Sequence, residues 1–527
     1  MIKFIPFIFL FSLLVGCKNN SNEIAIDDSL IKDATTQEVV RPLSAENIES
    51  LEDSIKIYYQ KLNNYEIWYS LKNRTELINE IKNCYKDGLN PEDYNLKNIL
   101  ALEGKRKKLE DEEVIQYDIL LTKSFEKLAL HLYRGKLNPK KLYTDWDLTP
   151  KIISLSPYLE KAIKNKAVAS TFQELKPKHF VYAKIKESLV VIEQFPEYKF
   201  DKTEVKDKIQ LHDTINEIIA IKKKLAYWND YTQKDSITTA IYDTITYLAV
   251  KKFQSRHGLK ADGVIGKGTV QALNYTKEER KQQIIANLER WKWFPIDFGN
   301  EYLMVNLPNY NIVYVKKNDT IATHNIVVGT PKRNTPVLIS KLSDLVFNPT
   351  WTVPPTIIKE DLTPSAKKNL EYFKKTRLTI YDSTGQVVTP EEWNSDASKS
   401  YRYVQVSGYN NSLGLVKFNF PNRHTVYLHD TNHRDYFSRE YRALSSGCVR
   451  VENPLLLAEK ILFNEDEGWT SEEIDSIINK KNIKTVPIKN NINVYLLYWT
   501  NWLSKDGLQF REDIYHLDKK LYAALRN

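Results

Sequence analysis

The sequence predicts a multidomain α+β protein, and three observations carry that prediction. Its 527 residues are several times the ~100–200 of a usual domain. Apolar residues recur at helical spacing through the first half, whereas short alternating runs rich in Val, Ile, Tyr and Phe set in from about residue 299. The composition is that of packed domains: 42% hydrophobic, 27% charged, with 32 Tyr, 19 Phe and 10 Trp against 16 Gly and 20 Pro. This excludes collagen-like and low-complexity architectures, and disorder over most of the chain. Three cysteines supply neither a disulfide framework nor a four-thiolate zinc site, so each needs its own explanation. A net charge of +9 comes with no basic stripe interleaved with aromatics, which argues against a nucleic-acid partner. The basic run Lys105–Lys108 is answered at once by Glu110, Asp111, Glu112 and Glu113 and reads as a solvated helix flank.

Residues Phe4 to Val15 are almost all apolar behind Lys3. The stretch is too short for a bilayer span of ~20 residues, and it has the flanks of a signal-peptide core. Leu14-Val15-Gly16-Cys17 resembles the bacterial lipobox, which implies a lipid-modified Cys17 and a protein exported to the cell envelope and held at a membrane. Residues 1–17 are expected to be the lipoprotein signal and 18–43 a flexible tether.

From 44 to 235 the pattern is helical. Val114, Asp118, Leu121, Phe125, Leu128 and Leu132 share one face, and breaks fall at Gly88–Pro91, Gly135–Pro139 and Pro150. No catalytic constellation stands here, and Cys84 reads as a buried structural thiol. Residues 236–276 form a compact unit in which Ile241, Ile245, Leu248 and Phe253 mark a helix. It closes on Phe253-Gln254, His257-Gly258-Leu259, Ala261-Asp262-Gly263-Val264-Ile265-Gly266 and Thr269–Asn274. That string is similar to the three-helix peptidoglycan-binding module of cell-wall enzymes, whether this copy grips glycan or serves as a spacer. A connecting helix follows within 277–298. Residues 299–527 are expected to form a β-rich domain, with strands such as Tyr302–Leu307, Asn311–Val315, Thr320–Val328, Val416–Phe420, Thr425–His429 and Asn493–Thr500, and a hairpin turn at Lys505-Asp506-Gly507. The Pro-bearing stretch 354–399 breaks the strand texture and is expected to be a cap over a site.

The chemistry concentrates in Tyr427-Leu428-His429-Asp430-Thr431 and Ser445-Ser446-Gly447-Cys448-Val449-Arg450-Val451. A nucleophilic thiol needs a base and backbone donors for an oxyanion. His429 supplies the first and the Gly447 turn the second. Strand alternation puts Tyr427 beside His429 on one face. Arg450 is a carboxylate clamp, a thiolate-stabilising charge or a brace for the turn, and Trp351 either lines the groove or packs in the core. His429 and His433 stand at a spacing that zinc helices use, but the intervening residues read as a turn and no third ligand is evident. His424 as an alternative base falls on the opposite face.

These motifs resemble the L,D-transpeptidase (YkuD-type) catalytic domain, most of all its large YcbB-like branch, in which "HDT" precedes "SSGCVRV". Leu288–Trp293, Phe347–Pro354 and Leu413–Phe418 are further family-like pieces. Ser446 stands where smaller members carry a histidine, which leaves His429 as the base. The resemblance implies a β-sandwich-like catalytic fold with an inserted cap, Cys448 as nucleophile, and an oxyanion hole of Tyr427 with the Gly447 and Cys448 amides. It further implies a tetrapeptide stem as donor, an amine of a second stem as acceptor, a 3→3 cross-link as product, inhibition by carbapenem-type β-lactams, and no metal or organic cofactor. An L,D-carboxypeptidase, or a wall-binding anchor without activity, are the alternatives. The intact Tyr427, His429, Cys448 and Arg450 set argues against the anchor.

Overall fold

The computed structural model describes residues 40–233, 237–465 and 469–527. The leader, Cys17 and nearly all of the tether lie outside them. Among the described residues no helix is long and apolar enough to cross a membrane.

The scaffold is built on the 24-residue helix Asp111–Arg134, opened by a Glu110–Glu113 capping box and stopped at Gly135. The expected stripe is buried along its whole length, and Phe125 packs between Trp68 and Phe172 at 5.8 and 5.1 Å. Its polar member, Asp118, accepts hydrogen bonds from the Ile67 amide (3.1 Å), the Trp68 amide (2.6 Å) and the Tyr59 hydroxyl (2.7 Å). Cys84 is a free thiol in this core, pushed up to about 12 by burial and therefore unreactive.

Helices Glu217–Tyr227, Thr244–Arg256 and Lys267–Leu273 form the next unit. Its core is Ile218, Ile221, Leu225, Tyr242, Val250, Phe253, Ile265 and Leu273. Of the four residues expected to mark the middle helix, Phe253 is buried, whereas Ile241, Ile245 and Leu248 are exposed, and Thr246, Val250 and Gln254 join Phe253 on the inner face. Two apolar stripes interleave on this helix. The inner one is selected by the facing helices and by Gln254, whose amide bridges the Gly263 amide and the Val264 carbonyl at 2.8 and 2.9 Å.

The connecting helix, Lys277–Trp293, is buried on all sides from Gln283 onward, charged residues included. Arg290 pairs with Asp518 (2.8 Å), Lys292 Nζ donates to the Asp87 carbonyl (2.7 Å), Glu289 accepts from the Leu137 amide (2.8 Å), and Asn287 donates to Thr500 (2.8 Å). Scaffold and C-terminal segment are thus both fastened to this one helix, consistent with the need to pair every buried charge.

The β domain holds strands β1 (Glu301–Asn306), β2 (Asn311–Lys316), β3 (Asp319–Gly329), β4 (Leu338–Lys341), β5 (Asp344–Phe347), β6 (Trp351–Thr352), β7 (Thr379–Tyr381), β8 (Val387–Val388), β9 (Arg402–Gln405), β10 (Val416–Asn419), β11 (Leu428–His429), β12 (Ala443–Ser445), β13 (Val449–Val451), β14 (Lys484–Pro487), β15 (Asn493–Leu497), β16 (Asn501–Ser504) and β17 (Gly507–Phe510). Eleven of them form one mixed sheet in the order β14-β5-β10-β11-β13-β3-β2-β1-β15-β4, with β12 added alongside β3. The sheet curls into a half-barrel. A sandwich of two separate sheets is therefore too fine a description: the long strand β3 pairs with β2, β12 and β13 and joins the two ends into one hydrogen-bonded network. The Thr425–His429 strand is shorter than expected, because Asn422 takes the Val426 amide and carbonyl and folds residues 422–426 into an arch.

The 354–399 stretch lies within a subdomain of its own. Strands β6-β9-β7-β8 form a separate sheet over a core of Val353, Ile358, Leu362, Phe373, Ile380, Trp393 and Tyr403.

Candidate active site

Strand register builds the site. Lys417 on β10 pairs with His429 on β11, His429 with Arg450 on β13, and Arg450 with Val327 on β3. Cys448 lies two residues before Arg450 and Tyr427 two before His429, joined by the Val449 amide donating to the Tyr427 carbonyl at 3.2 Å. The period-two pleat sends these side chains to one face. Phe418, Leu428, Val449 and Val451 fill the other and are fully buried.

His429 is 5% exposed. Its Nδ1 contacts the Asp430 carbonyl. A carbonyl only accepts, so Nδ1 carries the hydrogen and Nε2 keeps its lone pair. Burial, then the neighbouring Arg450 and, more weakly, Lys417, lower the imidazole to about 3, so it is neutral at physiological pH. The Asp430 carboxylate braces the loop behind, accepting from the Leu415 amide (2.9 Å) and pairing with Arg434. Gly414, at φ 57°, makes room for it: a Cβ there would stand 2.1 Å from Asp430 Oδ2.

Burial raises the Cys448 thiol, and contacts from Tyr427, Lys417 and Arg450 pull it back. Burial, then the neighbouring Cys448 thiol, push the Tyr427 hydroxyl up, and its ring meets His429 at 5.5 Å, edge to face. Among the described residues no hydrogen bond links thiol and imidazole; they lie diagonally across the β11–β13 pair.

Gly447, at φ 119°, donates its amide to Ser445 Oγ (3.1 Å), and that hydroxyl donates to the Cys448 carbonyl (2.6 Å). The amide is therefore engaged in shaping the turn. Thr335 Oγ1 secures the same turn by donating to the Gly447 carbonyl at 2.8 Å.

Arg450 stacks 5.7 Å from the Tyr436 ring, and its Nε and Nη1 have no hydrogen-bond partner although buried. Lys417 Nζ sits 4.1 Å from the Tyr427 ring centroid and has no carboxylate partner among the described residues. Sequence reading assigned Lys417 no role. Lys417 alternates with the apolar Val416, Phe418 and Phe420, which in sequence reads as an outward position. Arg333 was equally missed, since nothing local distinguishes it. Its guanidinium holds Asp361 (2.6 and 2.9 Å) and Glu360 (3.0 Å) of the cap while donating to Ser446 Oγ (3.0 Å), two residues from the thiol.

His433 stacks on Tyr436 at 5.0 Å, and His424 lies in the arch with its Nε2 accepting from Arg423. Trp351 stands at the joint between the cap core and Tyr427, so it takes part in both.

Residues 300–476 match the model of the L,D-transpeptidase catalytic domain, 53–189 that of a scaffold domain, and 214–273 that of a provisional peptidoglycan binding domain. A Haemophilus influenzae protein provisionally named an L,D-transpeptidase is 38% identical over 246 residues, 46% of this chain and 49% of that one. The match thus spans about half the length of the curated relative. Crystal structures of L,D-transpeptidases from Xylanimonas cellulosilytica and Stackebrandtia nassauensis align with 14% and 13% identity over 56% and 55% of this chain and 98% and 94% of theirs, at TM-scores of 0.18 and 0.22. Scores that low carry no argument about fold or function.

Proposed function

We propose that this chain, which by its scaffold, peptidoglycan-binding and catalytic units belongs with the large multidomain L,D-transpeptidases, joins peptidoglycan stem peptides through a thioester on Cys448. One observation supports this most: the in-register row Lys417–His429–Arg450 with Tyr427 and Cys448 one step along the same face.

In this reading the Cys448 sulfur attacks the carbonyl of the third residue of a donor tetrapeptide, and His429 Nε2 takes the thiol proton. The tetrahedral oxyanion is held by the Tyr427 hydroxyl and the Cys448 amide, with Gly447 shaping the turn that presents that amide. Collapse breaks the amide bond; the terminal D-Ala leaves as an amine carrying the proton from His429. A side-chain amine of a second stem then attacks the thioester, gives its proton to His429 and expels the thiol, leaving a 3→3 cross-link. The unpaired Arg450 and Lys417 cations suit the carboxylate of the departing D-Ala. The reaction as written draws on no metal or cofactor. The cap, moored through Arg333 and Trp351, would limit water at the thioester. Export and lipid attachment at Cys17 would place this chemistry at the wall, outside the cytoplasm; the mass of the mature N-terminal peptide tests that.

The experiment is incubation of purified protein with tetrapeptide muropeptides and mass spectrometry of the products. Dimers lacking one D-Ala support the reading. Tripeptide monomers alone would make water the acceptor and the protein an L,D-carboxypeptidase, and no turnover by protein with a free thiol would overturn both.

A further inference from the structure

We infer that the same sheet face carries a second binding site, for the glycan strand of the wall polymer, in the cavity of about 590 Å³ where the scaffold meets β1 and β2. Register connects the two sites. Arg450 pairs with Val327; two residues back on β3, Asn325 pairs with Asn311, and Asn311 with Asn306. Asn306 and Asn311 line the cavity, so it opens on the face that carries Cys448, three strands from Arg450. At ~4.8 Å per strand that is ~14 Å across the sheet. Three extended residues reach ~10 Å. Cys448 stands four residues, ~13 Å, further along the register of β3 than Asn325. The three extended residues of a stem, the linkage to its sugar and the next ring of the glycan therefore together span the ~19 Å from the thiol to Asn306.

The lining suits a sugar. Phe180 from the scaffold helix Phe180–Glu193, and Trp499 and Trp502 from the C-terminal segment, supply aromatic surface, which packs against the apolar faces of sugar rings. Asn306 is 1% exposed; its Oδ1 accepts from the Trp499 amide (3.3 Å), and its Nδ2 has no partner. A buried amide donor left unpaired is costly unless something binds it, and a hydroxyl or acetamido oxygen is the matching acceptor. The charged groups of the lining are already engaged: Lys178 donates to the Gln173 carbonyl and Asp297 accepts from the Gly299 amide. A neutral ligand fits, in contrast to the free cations at Lys417 and Arg450.

The test is calorimetric titration of the full chain with N-acetylglucosamine oligomers, alongside Trp502→Ala, Asn311→Ala and Phe180→Ala, each checked for an unchanged unfolding midpoint. Phe180 is 64% exposed, so its truncation spares the fold. Saturable binding weakened about tenfold by Trp502→Ala, and about threefold by each of the other two, supports the site. No binding, or binding that all three variants leave intact (which would move the sugar to the 214–273 unit), overturns it. The readout needs no turnover, so its failure leaves the thioester chemistry standing, and failure of that chemistry leaves this site standing.

Discussion

Two buried polar clusters in this chain treat their charges in opposite ways. In the scaffold, Asp118 collects two backbone amides and a tyrosine hydroxyl, and Trp68 Nε1 and the Tyr59 hydroxyl meet on Thr122 Oγ1 at 3.0 Å each. On the sheet face that carries Cys448, Arg450 keeps two N–H groups without partners and Lys417 has no carboxylate among the described residues. The first arrangement repays burial through its own hydrogen bonds; the second leaves its donors open, which a protein sustains where a ligand completes them.

The contrast breaks first at the thiol. Cys448→Ala is expected to abolish turnover and the covalent carbapenem adduct while leaving the unfolding midpoint unchanged; an adduct on the variant, seen in its intact mass, would show another nucleophile. Arg450→Met and Lys417→Met should each lower kcat/KM by about 100-fold with stability equal or higher, because each removes a half-buried cation that has no carboxylate partner among the described residues. Asp118→Ala should do the reverse. It should cost about 2–4 kcal/mol in denaturant unfolding, from orphaned donors in the core, and leave kcat near wild type in protein that remains folded.

The two clusters also titrate in opposite directions. His429 is lowered from 6.5 to about 3, so its contribution to stability is present above pH 6.5 and lost as pH falls toward 3. Burial raises Asp118 from 3.8 to about 7, so its contribution is present below pH 4 and lost as pH rises through 7. Unfolding free energies of His429→Gln and Asp118→Asn, each compared with wild type across pH 4–8, should therefore diverge with opposite slopes; parallel slopes would refute the assignment. The smallest effect is at the tether between nucleophile and cap. Arg333→Ala should change stability by less than about 1 kcal/mol, its pairs being partly exposed, yet raise hydrolysis relative to cross-linking a few-fold in the muropeptide assay.

Much of this was legible in the chain. The alternation of Tyr427, Leu428, His429 decides which side chains share a face. Gly447 before Cys448 marks a turn, and the stripe on 111–134 marks a buried helix. These are local patterns, set by the backbone period. The stripe Ile241, Ile245, Leu248 misled for the complementary reason: a helix with two apolar faces buries the one its neighbours cover, and the neighbours are chosen by packing. The long Thr425–His429 strand failed likewise, because one side chain, Asn422, captured the backbone groups a ladder would have used.

By itself, then, the sequence determined the order of units, the candidate site residues and the face they occupy, since each follows from composition, motif or short-range periodicity. Only the tertiary structure decided that Lys417 and Arg450 flank His429, that Arg333 links the cap to Ser446 in the turn before Cys448, that the Gly447 amide bonds Ser445, and that an amide-lined cavity opens on the same face. Those facts depend on register between strands far apart in the chain, and register is set by hydrogen bonding and burial across the whole sheet.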